Sequence, residues 1–138
     1  MPLKIKWLDI PEDHDYPAAR DYLNLLLSDD LCDKIIHKLK KSTIKEFKAK
    51  DIFRASGLSL LGVSNSHVKK NIKKIKKSEE LSPIIIVRDS FQRKVIIADG
   101  YHRLCAVYTF NEDAEIPCKI VSLWGQNGWL CRKSCKRR

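Results

Sequence analysis

Ile96-Ile97-Ala98-Asp99-Gly100-Tyr101-His102-Arg103-Leu104-Cys105-Ala106 is the stretch on which the fold turns. Lys94 to Ala98 reads as a strand that stops at Asp99-Gly100, and a helix follows from about Tyr101 to Phe110, burying Leu104, Val107 and Tyr108. A strand that hands an acidic residue and a glycine to the start of a helix presents unpaired amides and a positive partial charge, the makings of an anion site. Gly100 permits a sharp turn, and His102 and Arg103 add side-chain donors. The positive charge of Arg103 runs against the helix dipole, a penalty that a bound anion would cancel.

Upstream, the continuous β-branched run Pro83-Ile84-Ile85-Ile86-Val87 has the composition of a strand buried on both faces. Polar Arg88-Asp89-Ser90 and Gln92-Arg93 form the hairpin turn that leads into the return strand. Before it, Ser64-Asn65-Ser66 offers helix caps, and Val68, Ile72 and Ile75 recur at helical spacing in an otherwise lysine-rich segment. Gly57 and Gly62 bracket a loop, and the alternation from Glu46 to Phe53 predicts a strand ending near Arg54. Downstream, Ile116 to Val121 gives a last strand. The expected fold class is α/β in the α+β sense, a small mixed sheet with packed helices.

At the N-terminus, Leu3 to Trp7 alternates like a short strand. Pro17 marks a helix start with Ala19, Tyr22, Leu23 and Leu26 on one face, and a second helix carries Leu31, Cys32, Ile35, Ile36 and Leu39. The division expected is a helical extension over 1–45, a core over 46–123 and a basic, cysteine-containing tail over 124–138.

The chain has 138 residues, one ordinary domain, and its 43% hydrophobic content is enough for one core. No apolar run reaches the length of a membrane span and the first residues lack a signal-peptide core, so a cytoplasmic protein without a membrane partner is expected. The formal charge of +10 is concentrated in two places, the lysines between Lys69 and Lys77 and the cluster Arg132, Lys133, Lys136, Arg137 and Arg138. That balance favours polyanions; a solvated helix face and a solubilising tail explain it equally well. Five cysteines, an odd number, argue against a disulfide framework. Cys131 and Cys135 have no second pair at zinc-ligand spacing upstream, so no metal site is assigned. His14 and His37 read as isolated surface residues.

The ordered set of lysine helix, buried strand, hairpin, Gly-Tyr-His-Arg turn and closing Ile116-Pro117-Cys118-Lys119-Ile120-Val121 strand resembles the ParB N-terminal and sulfiredoxin fold, over roughly Glu46 to Leu123. The resemblance implies a nucleotide, ATP or CTP with magnesium, whose phosphates meet Gly100, Tyr101, His102 and Arg103, with Lys70 and Lys74 on the preceding helix and His67 near its start. The catalytic cysteine of sulfiredoxins falls at Tyr101, which cannot attack a sulfinyl phosphate, so sulfinic acid reduction is not expected. No counterpart of the helix-turn-helix and dimerisation parts of ParB proteins is read in this sequence, so chromosome partitioning is not expected. The Asp99-Gly100-Tyr101-His102-Arg103 turn is closer in residue type to ParB-like free serine kinases, although Arg54-Ala55-Ser56-Gly57 stands where their additional glutamate would be.

Two functions follow. In the first, a nucleotide-dependent phosphotransferase or NTPase acts on a small substrate, with Asp99 as a metal-linked or general-base carboxylate and His102 as its catalytic partner on the phosphates. In the second, the lysine helix and basic tail bind a nucleic-acid backbone. Simpler roles stand beside these: Asp99 as a helix cap, Arg103 paired with Asp99 or Glu115, and Cys105 as a core residue.

Overall fold

The computed structural model describes residues 4–123. Along the chain run α1 (Asp15–Leu23), α2 (Asp29–Lys41), β1 (Ile44–Lys48), α3 (Ala49–Ser56), α4 (Ser66–Lys76), β2 (Ile84–Asp89), β3 (Lys94–Asp99), α5 (Tyr101–Phe110) and β4 (Glu115–Ser122). The four strands form one mixed sheet in the order β1-β4-β2-β3, in which β2 and β4 are parallel and the other pairs antiparallel. The α+β class read from the sequence is what the chain adopts.

Strand β2 sits inside the sheet with helices on both faces, which is why its residues from Ile84 to Val87 are all buried. Ile84 and Ile86 face a core built with α3, α4 and α5, while Ile85 and Val87 face Ala19, Leu23, Ile35 and Leu39 of α1 and α2. The N-terminal helices are therefore a full layer of the fold. The side chain of Ser28 caps α2 by accepting from the Leu31 amide, Asp29 and Asp30 lie in its positive first turn, and three lysines lie in its last. Buried Lys119 of β4 reaches across to donate to the Lys40 and Ser42 carbonyls at the end of that helix.

Three local expectations are corrected. The strand predicted to run from Glu46 to Phe53 ends at Lys48, where α3 begins: Ala49, Ile52 and Ser56 are buried at helical spacing. The Ala49 and Lys50 amides donate to Ala114 and Glu112 instead of to a neighbouring strand. Gly57, at φ +68°, then ends the helix in a conformation that a side chain would resist. In place of a strand at Leu3 to Trp7, the described residues show a single parallel bridge between Trp7 and Leu81. Tyr22 of α1 and Leu26, which lies beyond the end of that helix, are exposed, and Asp15 and Tyr16 are buried along with Ala19 and Leu23.

Among the described residues no helix is long and apolar enough to cross a membrane. Cys32, Cys105 and Cys118 are free and buried, as a core reading of Cys105 requires. Cys131, Cys135 and the basic tail lie outside the described residues.

Candidate anion site between two helix starts

The hairpin fixes where α5 begins. Pairing runs regularly from Asp89↔Lys94 to Ile86↔Ile97, then slips so that Ile85 faces Asp99, leaving Ala98 as the extra residue of a bulge. Gly100 follows at φ +105° as the cap of α5, with no side-chain acceptor on the helix amides. A Cβ there would lie 2.9 Å from both Arg103 Nη2 and Ile84 Cγ1. The turn therefore needs glycine twice, for its dihedral and for the close approach of Arg103.

Helix α4 packs beside α5 and is capped by Asn65, whose side chain accepts from the His67 and Val68 amides. Val68 and Ile75 anchor its buried face. Between the two helices lies a cavity of about 230 Å³. From α4 it is lined by His67, Lys70, Asn71 and Lys74; from the turn and α5, by Asp99, Gly100, His102 and Arg103. Seven of the eight expected site residues meet there, and Lys69 and Lys73 do not. Tyr101 is the exception: its hydroxyl donates to the Ser59 carbonyl, tying the 57–65 loop to α5 and turning it away from the cavity.

Two residues behave differently from the sequence reading. Arg103 does not offer an unencumbered fork, because its Nη2 donates to Asp99 Oδ2 at 3.0 Å and to the Pro83 carbonyl at 3.2 Å. Its Nε is buried without a partner among the described residues. Asp99 does not cap α5, and Arg103 pairs with Asp99, not with Glu115. Burial raises the Asp99 carboxyl above its ordinary value even though Arg103 pulls the other way. A second carboxyl, Asp15, pushes in the same direction as burial.

Asp15 was not legible as a site residue. It comes from the first turn of α1, is buried, accepts from the Glu12 amide at 3.0 Å and from the Ser82 hydroxyl, and abuts Asp99. Only a hydrophilic residue on an otherwise inward-facing turn, beside Tyr16, could have signalled it. Asn71, one helical turn from His67 on the cavity side, was missed for the plainer reason that no charge marks it.

His67 and His102 face each other with ring centroids 4.8 Å apart. Burial, then the nearness of His67 and Arg103, holds the His102 imidazole below its ordinary value, so it stands neutral at pH 7 with one donor and one acceptor nitrogen. Asp99 is a poor fit for a magnesium ligand, because one of its oxygens is taken by Arg103. Among the described residues no group of three or more His, Cys, Asp or Glu side chains could hold a metal ion.

What the arrangement can do is receive an anion. Its lining is polar throughout, with Lys70 and Lys74 free of carboxylate partners among the described residues, unpaired amides opening α5, and two imidazoles to donate hydrogen bonds. Set against protein-family models, curated proteins and solved structures, the chain matches none.

Proposed function

We propose that the cavity between α4 and α5 binds the phosphate groups of a nucleotide, ATP or CTP, or of a phosphorylated small molecule. The observation that carries this reading is the convergence of Lys70, Lys74, His67 and His102 on the amides that open α5. The cavity is smaller than the usual whole-ligand pocket and has almost no apolar surface for a base, which favours phosphates inside and the nucleoside at the mouth. Magnesium would arrive on the nucleotide's own phosphates. Kinship with the ParB N-terminal and sulfiredoxin fold is part of the same proposal, supported by the strand, turn and helix order and by the His-Arg turn.

Phosphotransfer to a small hydroxyl is the reaction class that suits these groups. Asp99, its carboxyl raised by burial, would take the acceptor's proton; His102 would donate to a phosphate oxygen; Lys70 and Lys74 would balance the developing charge. Arg103 serves by holding Asp99 in place.

The test is thermal-shift screening with ATP, CTP, GTP, pyrophosphate and phosphate, with and without magnesium. A ligand at about 100 times its dissociation constant adds about 2.7 kcal/mol. The shift should vanish in Lys74→Ala and His102→Ala and survive deletion of residues 132–138. Absence of any shift, or a shift that depends only on that tail, would reject the proposal in favour of nucleic-acid backbone binding.

A further inference from the structure

Where α3 lies across the sheet it leaves a recess of about 230 Å³ that shares no lining residue with the anion cavity. Its floor is Ile52 of α3 and Ile86 of β2, both buried, and its walls include the half-buried Phe47, Val95 and Ile120. The gap has a sequence cause. Ala55 stands one turn after Ile52 on the inward side of α3, and a methyl group cannot reach the sheet.

Among the described residues only two charges border this apolar space, and they are of opposite sign. Asp51 comes from the helix side; its one ion-pair contact among the described residues is the exposed Arg54, at 3.8 Å. Arg88 comes from the strand side and gives Nη1 to the neutral Ser122 hydroxyl at 3.1 Å, so its charge has no carboxylate partner among the described residues. A hydrocarbon would leave both charges unused, and a fatty acid, whose carboxylate could meet Arg88, would bring nothing positive to Asp51.

We propose that this recess binds a free α-amino acid with an apolar side chain, the side chain between α3 and the sheet, the ammonium at Asp51 and the carboxylate at Arg88. A zwitterion carries its two charges on one carbon, with the apolar group on that same carbon. That is the pattern of this rim and floor. The guanidinium is suited to the carboxylate because it can meet both oxygens at once, and the apolar walls select against short polar side chains.

The inference stands apart from the phosphate reading. Calorimetric titration of the full chain with L-leucine and L-phenylalanine at millimolar concentrations should give saturable binding. Leucinamide, which lacks the carboxylate, and N-acetyl-leucine, which lacks the ammonium, should each bind about tenfold more weakly or worse. Arg88→Gln should abolish the preference for leucine over leucinamide, and Asp51→Asn the preference over N-acetyl-leucine. Ala55→Leu should fill the space and remove amino-acid binding while leaving any response to pyrophosphate intact. No saturable binding of either amino acid, equal binding of octanoate, or affinity indifferent to both rim substitutions overturns the proposal.

Discussion

His67 and His102 stand ring to ring at the cavity, centroids 4.8 Å apart and planes inclined by 43°, each delivered by the first turn of its own helix. Because His102 is held below its ordinary 6.5, chiefly by burial, the ligand-free fold gains stability as pH rises from that lowered value towards 6.5 and is flat above it. A bound anion reverses the preference. Sulfate, whose own charge is constant here, should therefore bind more tightly as pH falls from about 8 to about 5, by up to about tenfold per unit. His102→Gln should flatten the curve; a wild-type affinity independent of pH would contradict the placement of the imidazole.

The Asp15 carboxylate holds the Ser82 hydroxyl and the Glu12 amide in a buried place. Asp15→Ala should cost about 1–3 kcal/mol in urea unfolding, the penalty for orphaned buried donors. Asp99 is raised by burial, so its contribution to stability is fully present below 3.8 and is lost as pH rises through the folded value. Asp15→Asn should lower the Asp99 midpoint followed by carboxyl-carbon NMR, and an unmoved midpoint would separate the two groups.

Gly100→Ala meets Arg103 and Ile84 at 2.9 Å in a left-handed backbone. The strain should cost about 1–3 kcal/mol, and the displaced Arg103 should release Asp99. Both are measurable, as a lowered unfolding midpoint and as loss of the phosphate-induced thermal shift. Ala accepted at full stability would show that the turn is not as tight as drawn.

Lys119 gives its ammonium to the last carbonyls of α2 from a buried position, where burial lowers its pKa. Lys119→Met should destabilise the chain by about 1–3 kcal/mol and speed amide exchange at the end of α2 more than elsewhere. Uniform exchange would argue that the contact is incidental.

Cys32, Cys105 and Cys118 are buried, and burial raises the Cys105 thiol and pushes Cys118 up to about 12. Peptide mapping after brief alkylation at neutral pH should leave all three unlabelled until denaturant is added. Rapid labelling of Cys105 in the native chain would reopen it as a nucleophile.

The sheet's inner strand was legible because Ile84 to Val87 has no polar alternation, and the α5 start because strand pattern, Asp99-Gly100 and helix pattern abut. The Glu46 to Phe53 segment misled because Ala49 and Asp51 mimic a period of two, whereas burial follows Ala49, Ile52 and Ser56. What separates these readings is tertiary: the Ala49 and Lys50 amides are satisfied by the turn at 112–114, far along the chain. Lys70 and Lys74 were anticipated through the resemblance, which put them on the ligand face of the lysine helix, and both line the cavity. Asp15 could not, since its partners Ser82 and Asp99 are joined to it only by folding. Tyr101 was misplaced because the first helical turn points successive side chains in different directions, and its hydroxyl found Ser59.

In the sheet order β1-β4-β2-β3, the strand made last lies between two made earlier. During synthesis β1 has no neighbour to pair with until residues 115–122 emerge, and the hairpin of β2 and β3 waits with one side open. The apolar faces of α1 and α2 can be seated only on a sheet that is still incomplete. A ribosome stalled before Glu115 would thus carry a nascent chain rich in exposed strand edge, and this is the length at which a holding chaperone should be found bound to it.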